Sequence, residues 1–251
     1  MRTELELLEH KLYERFVRAF ATYRLLDDDD HVLVGLSGGK DSLFLLEMLA
    51  KRSRISHPRF KVEALHVRMG NIHYESSTDY LERFCRQWDV PLHIVTTHFD
   101  TDPELHPTGR DARRQKSPCF LCSWYRRKEL FNVAQQLGCN KIAFGHHQDD
   151  LLKTALMNLT FQGRFDTMPA RLQMKKMPLT LIRPLCMIAE ADIQRYAELA
   201  GYEKQTKRCP YEHDSHRDDI KKLLGTMEDL SPESRHSLWN ALNREGKLIE
   251  D

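Results

Sequence analysis

Apolar positions recur at two periods along this chain, and the alternation between the two lays out the fold. Leu5, Leu8, Leu12, Phe16, Phe20 and Tyr23 stand three and four apart, which predicts an amphipathic helix over residues 3–25. Asp27 to Asp30 reads as a solvated acidic linker. From His31 to Leu36 the apolar residues are β-favouring, the pattern of a short buried strand, and Leu43, Leu46 and Leu49 return to helical spacing. KVEALHVRM (61–69) and PLHIVTTHF (91–99) repeat the strand pattern, with Tyr80, Leu81, Phe84 and Trp88 predicting a helix between them. Residues 100–118 are polar and basic, a mobile loop that serves either as plain surface or as the cover of a site. A helix then runs from the CFLC stretch to Gly138, buried along Leu130, Val133, Ala134 and Leu137. KIAFGHHQDD (141–150) reads as a strand ending in a polar cluster, and a helix follows over 151–161. One more short strand lies in LTLIRPL (179–185), then a helix ending at Gly201 and two more over 218–230 and 232–246.

This βαβαβ rhythm predicts an α/β fold, a Rossmann-like parallel sheet with helices on both faces. Residues 1–30 read as an N-terminal helical extension, 31–202 as the α/β domain, and 203–251 as a C-terminal helical extension. A chain of 251 residues can bury such a core. No apolar run approaches the roughly 20 residues of a membrane span, and the charged, helix-periodic start is not a signal peptide. A cytoplasmic protein without a membrane partner is the expectation. The net charge of +1 excludes a globally basic nucleic-acid binder, so any RNA surface must be local.

The stretch that carries chemistry is SGGKDS, between the first strand and its helix. Two glycines let the backbone approach a ligand, and the helix N-terminus points N–H groups and a positive dipole end at it. Lys40 adds a charge, Ser37 and Ser42 hydroxyls, and Asp41 a carboxylate suited to Mg²⁺. A plain turn needs none of these, so the loop reads as a phosphate site, although it is neither a Walker A nor a GxGxxG motif. Among the six cysteines, Cys119 and Cys122 form a CxxC opening a helix, and Cys209 precedes a proline. In a cytosolic chain these suit a redox pair, a zinc site or an iron–sulfur site. Cys85, Cys139 and Cys186 sit in apolar segments and read as buried hydrophobes.

SGGKDS resembles the PP-loop of the ATP pyrophosphatase superfamily, of adenine nucleotide alpha hydrolase type. SGGKDS followed by PCFLCSWYRRKEL, KIAFGHHQDD, IRPL and Cys209 resembles, more narrowly, the TtcA family of tRNA 2-thiocytidine synthetases, over about residues 15–225. That resemblance implies an ATP-dependent sulfurtransferase. It adenylates a tRNA base carbonyl, cytidine 32 of the anticodon loop, and replaces the oxygen with sulfur to give 2-thiocytidine. Carried across, it assigns Leu36, Ser37, Gly38, Gly39, Lys40, Asp41 and Ser42 to ATP and Asp41 to Mg²⁺, with His66 and Gly145 beside the nucleotide. Cys119, Cys122 and Cys209 would hold a 4Fe–4S cluster with one open iron. Asp149 and Asp150 would act on the metal or on a proton, and Arg126, with Arg127, on phosphate or substrate. It further implies tRNA and a sulfur donor such as a cysteine desulfurase as partners, and leaves open a homodimer through the terminal helices. The tRNA surface is sought in Arg110, Arg113, Arg114 and Lys116; in Arg164, Arg171, Lys175 and Lys176; and in Lys204, Lys207 and Arg208, read as flanking one end of the sheet. The alternative is an adenylating ligase or reductase in which Cys119, Cys122, Cys209 and His213 form a structural zinc site.

Overall fold

The computed structural model describes residues 2–70, 78–98, 118–203 and 216–251. Cys209, His213, most of the 100–118 loop, and the basic groups Arg110 to Lys116 and Lys204 to Arg208 lie outside them. Seven strands form one sheet: β1 (Asp30–Gly35), β2 (Phe60–Met69), β3 (Leu92–Thr97), β4 (Lys141–Ala143), β5 (Arg171–Gln173), β6 (Thr180–Ile182) and β7 (Ile249–Glu250). Their order is β3-β2-β1-β4-β6-β5-β7. The first five positions are mutually parallel, with Val34 beside both Ala64 and Ala143, and Ala143 beside Ile182. β5 turns back antiparallel to β6, and β7 adds to β5 in parallel. The sheet is thus Rossmann-like and mostly parallel, with an edge that the sequence reading did not resolve.

Successive side chains along each strand enter different cores, as the pleat requires. Val32 and Val34 join one cluster and Leu33 the other; Ala143 and Ile142 divide in the same way. The larger core lies under α1 (Glu4–Tyr23), α2 (Lys40–Ser53), α3 (Thr78–Gln87), α5 (Gln148–Gln162), α6 (Glu190–Leu199), α7 (His216–Leu230) and α8 (Ser234–Arg244). Among the described residues a single helix, α4 (Pro118–Gln136), supplies buried residues to the other face, through Leu130, Val133 and Ala134. Leu12, Phe16, Trp239 and Leu242 are in the same buried cluster as the sheet residues, so the terminal helices share the central core.

The acidic linker is more than a solvated loop, and that expectation is corrected. Asp30 is buried and takes Lys141 Nζ at 2.7 Å; the same ammonium donates to the Leu25 carbonyl at 2.9 Å. Asp28 accepts from the Arg59 backbone N–H at 2.7 Å. These bonds tie the entry of β1 to β4 and β2, because a buried ammonium and carboxylate must find each other.

Candidate active site

In a doubly wound sheet the ligand crevice opens where strand order reverses, at the carboxyl ends of the strands. Here that point lies between β1 and β4. The backbone of Leu36, just past β1, is held on both sides by β2: its N–H donates to Leu65 O at 2.9 Å, and its carbonyl faces Nδ1 of buried His66 at 2.7 Å. A carbonyl only accepts, so Nδ1 carries the proton. His66 therefore positions the loop backbone.

Gly38 sits at φ +82°, in the left-handed region where a side chain is strained, and extended Gly39 caps α2 without a side chain. The two serines lace the turn together. Ser42 Oγ accepts from Ser37 N at 3.2 Å and donates to Gly39 O at 2.9 Å, and Ser37 Oγ accepts from Gly39 N at 3.3 Å. The Ser42 proton is thus engaged within the loop itself. Among the described residues the N–H groups of Gly38, Lys40 and Asp41 meet no backbone acceptor, which leaves a nest of donors at a helix N-terminus.

Cations gather beside that nest around one carboxylate. Glu190, the first residue of α6, lies 3.5 Å from Lys40 Nζ, 3.7 Å from Lys153 Nζ and 3.8 Å from Lys221 Nζ. Burial works to raise its pKa, but Lys153, His147, Lys40 and Lys221 outweigh it and the net shift is downward. Lys40 also pairs with Asp41 at 3.2 Å and Lys153 with Asp150 at 3.9 Å, so these ammonium groups are held at the mouth of the nest, within reach of a more highly charged anion.

The β4–α5 turn closes the far side. Gly145 lies against the first turn of α2, where a Cβ would stand 3.0 Å from the Asp41 carbonyl carbon. Buried His147 caps α5, with Nε2 at 3.4 Å from Asp150 and 4.0 Å from Asp41. Asp150 also accepts from His147 N at 3.1 Å. Asp149 has both oxygens engaged, by Glu190 N at 2.7 Å and by Arg235 at 2.9 Å. Burial raises its pKa, and those two donors, with the His147 charge, more than reverse the effect. Asp149 thus binds α5 to α6 and α8. The Asp41 carboxylate is paired with Lys40 Nζ at 3.2 Å, and His147 Nε2 lies 4.0 Å from its Oδ1.

α4 starts at the same end of the sheet. Its Leu121 packs on Met69 at the carboxyl end of β2, with Cys122 and Tyr125 alongside. Cys119 is exposed and Cys122 partly so. The other described thiols are buried as expected: burial pushes Cys85 and Cys139 up to about 12, and Cys186 further up. Arg126 lies one turn beyond Cys122, partly covered, and Arg127 is exposed.

The PP-loop domain family matches residues 8–224. A tRNA-cytidine(32) 2-sulfurtransferase of Paraburkholderia xenovorans (strain LB400) is 33% identical over 239 residues, 93% of this chain and 69% of the relative. One from Bordetella avium (strain 197N) is 32% identical over 244 residues, 97% of this chain and 75% of that protein. The chain belongs to the PP-loop family, in its TtcA branch. It is therefore an enzyme of that superfamily. The U34-tRNA thiolase NcsA from Methanococcus maripaludis, solved with its [4Fe-4S] cluster, has the same fold. Its TM-score is 0.74 at 24% identity, covering 96% of this chain and 79% of that one.

Of the residues expected at the site, Leu36 to Ser42, His66, Gly145, Asp149 and Asp150 converge at the switch point. Gly145 approaches the α2 backbone at Asp41 and Ser42. The basic groups do not all share one sheet end. Lys175 and Lys176 lie in the β5–β6 turn, at the amino end of parallel β6, away from the loop. Arg164 and Arg171 are paired with Asp166 and Asp251, each at 2.9 Å. Missed from the sequence were Lys153, Glu190, Lys221 and Arg235, whose helices meet only through tertiary packing. No helix among the described residues is long and apolar enough to cross a membrane.

Proposed function

We propose that this chain is an ATP-dependent tRNA sulfurtransferase that converts cytidine 32, named in its relatives, to 2-thiocytidine. The observation that carries the reading is positional: the CxxC of α4 docks through Leu121 on the end of β2, beside the phosphate nest that follows β1. Two half-reactions therefore share one rim.

In the first, the cytidine carbonyl oxygen attacks the α-phosphorus of ATP. A P–O bond forms, pyrophosphate leaves, and a poor leaving group becomes a good one. The nest N–H groups and the Glu190-bound lysines take the phosphate charge, and the Asp41 carboxylate, now paired with Lys40 at 3.2 Å, would hold Mg²⁺ once Lys40 turns to the phosphates. In the second half-reaction, sulfide attacks the same carbon and AMP departs with the oxygen.

The donor set fits an iron–sulfur group: two accessible thiols one helical turn apart, while the three remaining described thiols are sealed in cores. Cys119 and Cys122, with Cys209 from the undescribed stretch, would hold a 4Fe–4S cluster, which supplies an iron able to bind sulfide. Arg126 and Arg127 follow the pair in α4 and answer the negative charge of the adenylate. A cytoplasmic setting and a desulfurase-type sulfur donor accord with this chemistry.

The direct test is pyrophosphate release from ATP with and without unmodified tRNA. Release stimulated by tRNA and abolished by Lys40→Met is expected. Release indifferent to tRNA would direct the adenylation to another substrate.

A further inference from the structure

We propose that the outward face of α4, with Phe120 and Trp124 in front and Lys128 behind, is a stacking platform for unpaired RNA bases beside the cysteine pair. The inference rests on the sulfurtransferase reading and names the surface that holds its substrate.

α4 has an unambiguous inward side. Leu121 packs on Met69, and Leu130, Val133 and Ala134 enter the sheet core. Phe120 and Trp124, four residues apart, share another face, with 49% and 48% of their surface in water. Trp239, by contrast, is buried. Lys128 continues the row one turn further, its ammonium 5.6 Å from the Trp124 ring centre and 6.0 Å from that of Tyr125. Trp124 and Tyr125 meet edge to face at 4.9 Å, which fixes the indole plane.

A surface helix needs no large rings on its solvent side, and paired exposed rings mark a contact surface. Arg127 and Lys128, both exposed, follow the rings, and Glu129 is the one acid of the helix, so the partner is anionic. Flat rings beside cations match single-stranded nucleic acid, whose bases stack and whose backbone needs neutralising. The rings begin one residue past Cys119. A base splayed from an RNA loop and stacked there is held at the edge of the thiol pair.

The test uses the full chain, purified without oxygen, with Trp124→Ala and Trp124→Phe, titrated with an RNA stem-loop carrying the tRNA anticodon loop and with a duplex of equal length. Trp124→Ala is expected to weaken stem-loop binding about tenfold. Trp124→Phe should retain most of it, with duplex and ATP binding the same in all three proteins. Trp124 emission, taken as the wild type minus Trp124→Phe difference, should be quenched by acrylamide in the free protein and protected by the stem-loop. Unchanged stem-loop affinity in Trp124→Ala overturns the platform and leaves sulfur transfer standing. Shielding of Trp124 before RNA is added also overturns it, since another segment of the chain then covers the rings. A wild type that binds neither RNA overturns the sulfurtransferase reading as well.

Discussion

Gly145 and Asp41 meet backbone to backbone: a Cβ on Gly145 would stand 3.0 Å from the Asp41 carbonyl carbon and 3.1 Å from its oxygen. The turn after β4 therefore seats the first turn of α2, and with it the donors that face the phosphates. Gly145→Ala must push that turn aside. ATP affinity should fall roughly tenfold or more, read by calorimetry, with the circular dichroism spectrum retained. Unchanged affinity would show that the contact sets nothing at the site.

Lys153 neither lies in the PP-loop nor follows from its motif, yet it shares Glu190 with Lys40. If the lysines move from Glu190 to the triphosphate, Lys153→Met removes one charged contact. KM for ATP in pyrophosphate release should rise about tenfold, with Lys153→Arg recovering part of it. A Michaelis constant equal to wild type in both variants would leave Lys153 a structural partner of Glu190 and Asp150.

Asp149 gives a pH prediction. Its folded pKa is lowered by the Glu190 N–H and Arg235, once burial has been outweighed. A lowered carboxyl pKa gives stability that is present above the unfolded value, about 4, and lost as pH falls through the folded value. Asp149→Asn should thus lower stability by about 2 kcal/mol at neutral pH, leaving Arg235 without one of its acids. The gap to wild type should narrow as denaturation is measured at progressively lower pH below about 4. A constant gap would assign the loss to packing alone.

The thiols divide into two classes by burial. Brief alkylation of the native, cluster-free protein at mildly alkaline pH should label Cys119 and Cys122. Cys85 and Cys139, pushed up to about 12, and fully covered Cys186 should react only after denaturation. Peptide mapping reads the result, and native labelling of Cys139 would contradict the packing of α4 on the sheet.

The legible parts of this fold were those written in local pattern. The β-favouring apolar run at Val32, Leu33 and Val34, the helical stripe of α1, and the glycines of the first loop all act over a few residues, and the sequence shows them directly. β5 and β7 escaped notice because three and two residues carry no period; they exist through pairing with β6 and with one another. The acidic run at Asp27 to Asp30 looked solvated because Lys141, its partner, lies more than a hundred positions away. The site followed the same division. SGGKDS announces itself, whereas the cage around Glu190 draws on α2, α5, α6 and α7, and no spacing rule connects those helices. Arg235 as the partner of Asp149 was not legible, because a sequence shows the carboxylate and not the arginine that another helix brings to it.

In the proposed reaction ATP activation and sulfur delivery meet on one tRNA base. Anaerobically purified protein would be incubated with ATP, Mg²⁺, sulfide and unmodified tRNA, and the digested RNA analysed by mass spectrometry, with a Cys122→Ser variant in parallel. 2-Thiocytidine at position 32 is expected only when ATP is present, and should be lost in Cys122→Ser, which should still release pyrophosphate. Pyrophosphate release without any thiolated nucleoside, unchanged in Cys122→Ser, would contradict that reaction.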